Sequence, residues 1–273
     1  MPAVLSPTKP SLKTEKVSKH FDGIYAVKDF SIELFPGQIT GVIGPNGSGK
    51  TTFINLITGR YFSDGGTITL PSGKRTRHLK THRAAPHGVA RTFQTIKLFN
   101  QMSVQDNLFN VLTPRNPFGA LFFPRSQGTK HRVAALLHEL GLYEKRKEPA
   151  GNLSYGQRKL LEIGRALLVN DAHSPRLGKH AHLQESYTVG TCEVYCFDEP
   201  FAGLFPAMVE KVKAMFLKLK AQGKCIIWVE HNINLIKELS DRVLFMDNGK
   251  LLADGPAKEV FELPEVLEAY LGK

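Results

Sequence analysis

"GPNGSGKTT", residues 44–52, is the stretch on which the fold turns. Before it, "GQITGVIG" is apolar and β-rich up to Gly44, which predicts a buried strand. After it, "TTFINLITG" sets Phe53, Ile54, Leu56 and Ile57 at helical spacing and closes at Gly59. A glycine-rich turn between strand and helix is the setting of a phosphate-binding loop. Gly44, Gly47 and Gly49 let the backbone turn tightly and aim its N–H groups inward. Those donors and the helix N-terminus make an anion site, with Pro45, Asn46, Ser48 and Thr52 completing the loop. Lys50 is placed to reach the β and γ phosphates of a nucleotide, and Thr51 to put a hydroxyl on Mg²⁺. The pattern G-x-x-x-x-G-K-[ST] is met at every fixed position. The other reading, a chance glycine-rich turn, does not account for the flanks.

The chain has 273 residues, a net charge of +11 and 42% hydrophobic residues, enough for one large domain or two small ones. No run of about 18 apolar residues occurs, and the opening "MPAVLSPTKPSLKTEKVSKHF" lacks the apolar stretch of a secretory signal. Three cysteines are too few for a disulfide framework and fit a reducing compartment. Between Gly65 and His138 stand eleven Lys/Arg and one acid, Asp106. Such a stretch can be a solvated face that steers nucleotide, or can meet nucleic acid, lipid or an acidic protein. It lacks the aromatic interleaving of a strand-binding groove, so no useful nucleic-acid binding is expected.

Three further motifs select among nucleotide-binding machines. In "EVYCFDEP", residues 193–200, an apolar β run ends in two carboxylates. At a strand end Asp198 can hold hydrated Mg²⁺, and Glu199 can orient or deprotonate the attacking water. "KCIIWVEHN" repeats the design: Cys225 to Val229 read as a buried strand, with His231 just past its end. That position suits a catalytic histidine, against the alternative of an ordinary surface one. "LSYGQRKLLEIGRALL" starts a helix at Ser154 and Gly156, with an apolar stripe through Leu160, Leu161, Ile163, Leu167 and Leu168. Ser154 is its N-cap, serving either a second phosphate-facing helix start or capping alone.

Together these residues resemble the ATP-binding cassette (ABC) ATPases over nearly the whole chain. "GPNGSGKTT" resembles Walker A, "YCFDEP" Walker B and "LSYGQ" the signature motif. "RTFQ" carries the Q-loop glutamine at Gln94, and His231 matches the switch histidine. Phe21, in "SKHFDGIYAV", stands where the family stacks an aromatic ring on adenine. The resemblance implies an α/β P-loop NTPase core with a mostly parallel sheet, a small antiparallel β subdomain and a helical subdomain. It implies ATP hydrolysis with Mg²⁺: Glu199, His231 and Gln94 catalytic, and Thr51, Gln94 and Asp198 around the metal. Two such domains pair head to tail in the family, so Ser154, Gly156 and Gln157 would act on the nucleotide of a second ABC ATPase subunit. Transmembrane permease subunits, and through them a solute-binding protein, complete the implied assembly. It places the chain in the cytoplasm, on the inner face of the membrane.

Tyr155 in the signature, "FAGLFP" after Walker B and the tail "GPAKEVFELPEVLEAYLGK" resemble the ATPases of branched-chain amino acid importers and their relatives for urea and short amides. The lipopolysaccharide-export ATPase, with a similar "EPFAG", and a soluble regulatory or nucleic-acid-linked ATPase are the alternatives. Residues 1–273 read as a single ABC domain, with 1–94 and 166–273 as nucleotide-binding core and 95–165 as helical subdomain. Residues 174–192 read as an inserted, solvent-exposed loop of polar composition. His173, His180, His182 and Cys192 lie in or beside it at spacings that match no standard metal site. Phe205 replaces the polar residue the family carries in its D-loop. "NPFGALFFPR", with Pro117, Gly119 and Pro124, breaks any long helix.

Overall fold

A computed structural model describes residues 9–92, 96–113, 126–169 and 191–271. Among the described residues, ten strands form two sheets. β1 (Leu12–Phe21), β2 (Ile24–Leu34), β4 (Gly65–Thr69) and β5 (Arg75–Thr76) make an antiparallel sheet in the order β2-β1-β4-β5. β3 (Ile39–Ile43), β6 (Val89–Arg91), β7 (Val194–Asp198), β8 (Cys225–Val229), β9 (Arg242–Asp247) and β10 (Lys250–Pro256) make the larger sheet, ordered β10-β9-β3-β8-β7-β6. All its pairings are parallel except β10 with β9. The mostly parallel core sheet and the small antiparallel one are as the sequence implied.

The helices are α1 (Lys50–Ile57), α2 (Thr81–Ala84), α3 (Val104–Leu112), α4 (Gln127–Leu140), α5 (Tyr155–Leu167), α6 (Pro206–Ala221), α7 (Ile233–Leu239), α8 (Ala257–Val260) and α9 (Pro264–Leu271). They cover both faces of the large sheet, which is why its strands are continuous apolar runs. Successive side chains of a strand point to opposite faces. In β8, Cys225, Ile227 and Val229 join the core shared with α1 and the antiparallel sheet, while Ile226 and Trp228 join the core shared with α4, α5 and α6. β7 divides the same way, with Val194 and Cys196 to one side and Tyr195 and Phe197 to the other.

Ser154 caps α5 in a reciprocal box: its hydroxyl accepts from Gln157 N–H, and the Gln157 side chain accepts from Ser154 N–H. The apolar stripe read from the sequence is buried along this helix. The C-terminal segment packs as an amphipathic helix, with Val266 buried in the same core as Val260 and Phe261.

One boundary needs correcting. Cys192, read as the end of an exposed insertion and a conceivable metal ligand, is fully buried in the core, with its thiol against the Ala85 carbonyl. The core therefore resumes before β7, because an apolar thiol packs better than it solvates. His173, His180, His182 and "NPFGALFFPR" lie outside the described residues.

Candidate functional site

The loop at residues 44–52 joins β3 to α1. Its last glycine, Gly49, sits at the N-cap with φ +101°, and a β-carbon there would run into the Ala26 carbonyl oxygen. Only glycine fits that backbone. Since Gly49 has no side chain, nothing caps α1, and its first-turn N–H groups face the loop. The Lys50 ammonium lies within this curve, donating to the Gly44 and Pro45 carbonyls, each at 2.8 Å. Burial lowers its pKa, and the Glu199 and Asp198 carboxylates push it back up. One lysine thus feels the charge of both acids at the end of β7.

Those acids differ in environment. Asp198 is fully buried, and its Oδ1 has no hydrogen-bond partner among the described residues. Its Oδ2 faces the guanidinium of Arg91 at 3.5 Å. Burial pushes the Asp198 carboxyl above its usual range; Arg91, Lys159 and Arg60 pull it down, and Glu199 pushes it further up. Glu199 is partly exposed and lies in the left-handed region at φ +48°. Its Oε1 is 3.2 Å from His231 Nε2, and its N–H donates to the Val229 carbonyl at 2.9 Å. The ends of neighbouring strands β7 and β8 thereby bring the two proposed catalytic side chains together. A non-glycine residue held at positive φ is a strain that surrounding structure must over-determine, and such strain gathers at functional sites.

The other sequence-derived residues divide. Thr51 and Thr52 start α1 beside Lys50. Phe21 closes β1, is 42% exposed, meets Tyr61 edge-on at 5.3 Å and has the Lys19 ammonium over its ring, 5.3 Å from the centroid. Ser154 and Gln157 bond to each other, and no hydrogen bond or ion pair among the described residues joins them or Gly156 to the loop at 44–52. Beside them, Tyr155 packs on Gly203, and Phe205 is 72% exposed. Phe205 occupies the N-cap of α6 and supplies no capping bond. Gln94 lies outside the described residues.

Sequence reasoning missed a set of buried charges around these groups. Arg91, at the end of β6, donates to the Thr58 hydroxyl at 2.7 Å and the Thr92 carbonyl at 3.1 Å while facing Asp198. It ties the end of α1 to the carboxylate of β7. Glu162 and Lys159, both buried on α5, act on Arg91 and Asp198 respectively. Glu230 is buried beyond β8. No local signal in the sequence marks them, since residue type alone assigns charged side chains to the surface. Arg91→Met should lower unfolding free energy by about 3–5 kcal/mol, because it strands a buried carboxylate. Adding Asp198→Asn should restore most of that loss. Urea denaturation of the single and double variants checks both.

The arrangement suits Mg²⁺. The orphaned Oδ1 of Asp198 and the Thr51 hydroxyl are hard oxygen donors of the kind this ion takes.

A family model described as ABC transporter matches residues 27–172. The high-affinity branched-chain amino acid transport ATP-binding protein BraF of Pseudomonas aeruginosa is 33% identical, covering 97% of this chain and 99% of the relative. The corresponding protein LivG of Salmonella typhimurium is 34% identical over the same shares of the two chains. Among solved structures, the ADP conformation of an ATP-binding cassette of an ABC transporter superposes with a TM-score of 0.76, at 30% identity, covering 97% of this chain and all of the other.

Proposed function

The chain belongs to the ABC transporter family as an ATP-binding, ATP-hydrolysing subunit, and from that premise we propose that it powers the import of branched-chain amino acids or a related small polar solute such as urea or a short amide. The observation that carries this is similarity to the BraF and LivG ATPases at 33–34% identity across 97% of the chain.

In the proposed mechanism ATP lies with its phosphates on the loop at 44–52. The N–H groups of the loop and of α1 hold the phosphate oxygens, and Lys50 exchanges its carbonyl partners for them. Phe21 stacks on adenine. Asp198 and Thr51, with Gln94, would hold Mg²⁺, which when bound would neutralise charge developing on the phosphates. Glu199 takes the proton of the attacking water, and His231, 3.2 Å away, fixes the carboxylate and the terminal phosphate.

Ser154, Gly156 and Gln157 are assigned to the nucleotide of a second subunit. They start a helix whose cap is self-contained, with Ser154 and Tyr155 exposed, Gln157 half-buried and Gly156 buried. Closure of the pair on ATP and opening after hydrolysis drive permease subunits at the inner face of the membrane. No helix among the described residues is long and apolar enough to cross a membrane, so solute passage is assigned to those partners.

Reconstitution in proteoliposomes with co-purifying permeases tests the reading. Uptake of leucine, isoleucine or valine that depends on ATP and on Lys50 is expected. Uptake of urea or amides alone would move the solute, and extraction of lipopolysaccharide without uptake would replace importer by exporter.

A further inference from the structure

Glu230 is a buried acid beside the site with no part in the mechanism above. It follows β8, is only 6% exposed, and directly precedes His231. Its two carboxylate oxygens have different partners. Oε1 accepts from the N–H of His231 at 3.0 Å, and Oε2 accepts from the N–H of Phe201 at 3.4 Å. One side chain therefore spans the loop after β8 and the loop after β7.

The second loop is the one that carries Glu199. Phe201 is buried, with its ring edge-on to Trp228 at 5.3 Å and to Phe216 at 5.7 Å, so its backbone is a fixed point. Two residues earlier, Glu199 is held at φ +48°. The bond from Glu199 N–H to the Val229 carbonyl lies on one side of that residue, and the bond from Phe201 N–H to Glu230 on the other. Strain of this kind persists only where neighbours over-determine it.

We propose that Glu230 is a positioning residue that stitches the two loops together and so fixes the distance and direction between Glu199 and His231. The inference rests on the reading of those two residues as the hydrolytic pair. A carboxylate is suited to the task because both oxygens accept. Glutamine keeps the shape but offers one acceptor, and its amide would point N–H at N–H. Aspartate keeps the charge but is one methylene shorter, which is too short to bridge both loops from the same backbone. Loss of a hydrogen bond to a charged acceptor at this place misaligns the reacting geometry, to which rate is far more sensitive than binding.

The test uses the full chain with Glu230→Gln and Glu230→Asp, each alone and with Glu199→Gln. Single-turnover hydrolysis and equilibrium binding of a fluorescent ATP analogue are read together, with thermal melting as a control. Both single variants should bind nucleotide within about twofold of the unaltered protein and hydrolyse it about 10–100-fold more slowly. In the Glu199→Gln background, Glu230→Gln should subtract less than about twofold further, because its effect passes through that pair. If Glu230→Gln does not fold, Glu230→Asp with the charge kept carries the same comparison. Unchanged turnover, or equal losses of binding, turnover and melting temperature, would overturn the proposal. So would a full additive loss on top of Glu199→Gln. Wild-type turnover in Glu199→Gln alone would instead remove the hydrolytic pair itself, which marks failure of the underlying reading.

Discussion

Glu199→Gln will bind ATP as the unaltered protein does and hydrolyse it about 10²–10⁴-fold more slowly, the range that follows loss of a general acid–base group. The amide has the size of the carboxylate, and its oxygen can still face His231 Nε2, which stands 3.2 Å from Glu199 Oε1. The backbone at φ +48° is unchanged in kind, since neither residue prefers it. What disappears is the ability to take a proton from water. Lys50 and the loop that binds phosphate are untouched, so affinity stays. If two subunits close on ATP, the variant should accumulate the closed pair, eluting earlier in size exclusion when ATP is present. Turnover at the unaltered rate would show that another residue handles the water.

Lys50→Ala will weaken ATP binding by about 10²–10⁴-fold. A hydrogen bond to a charged group contributes about 1.5–3 kcal/mol, and Lys50 is placed to make one to each of two phosphates. Its ammonium is held inside the loop by the Gly44 and Pro45 carbonyls, so it needs little reorganisation to meet an anion there. Alanine also leaves the Asp198 and Glu199 carboxylates without that cation, which adds repulsion against the incoming phosphates. Equilibrium titration with ATP decides it: an affinity equal to that of the unaltered chain would end the assignment of residues 44–52.

Much of this was legible in the sequence where a local pattern determines the structure. Strands covered on both faces must be apolar throughout, so β3, β7 and β8 stand out as short apolar runs, and the acids and histidine after them inherit a strand-end position. Glycines at 44, 47 and 49 are needed by the backbone itself. The Ser154 cap is a bond over three residues, so it too is local. The buried charges were hidden because their partners are distant in sequence. Arg91 meets Asp198 across 107 positions, and Glu230 meets Phe201 across 29. Residue type alone assigns such side chains to the surface. Cys192 was misplaced for a related reason: polar neighbours set the reading, while the apolar packing around it comes from elsewhere in the chain.

The left-handed backbone of Glu199 puts two demands on one codon. For a residue with a β-carbon, that conformation lies roughly 1–2 kcal/mol above the right-handed one. Asparagine or glycine would sit there at less cost, and neither can take the water's proton. Drift under selection for a sturdier fold therefore runs toward inert proteins at this position, while selection for turnover runs back to glutamate. A library ranked by thermal tolerance alone would enrich dead variants at 199, and a homologue carrying asparagine or glycine there would be a binder of nucleotide that no longer spends it.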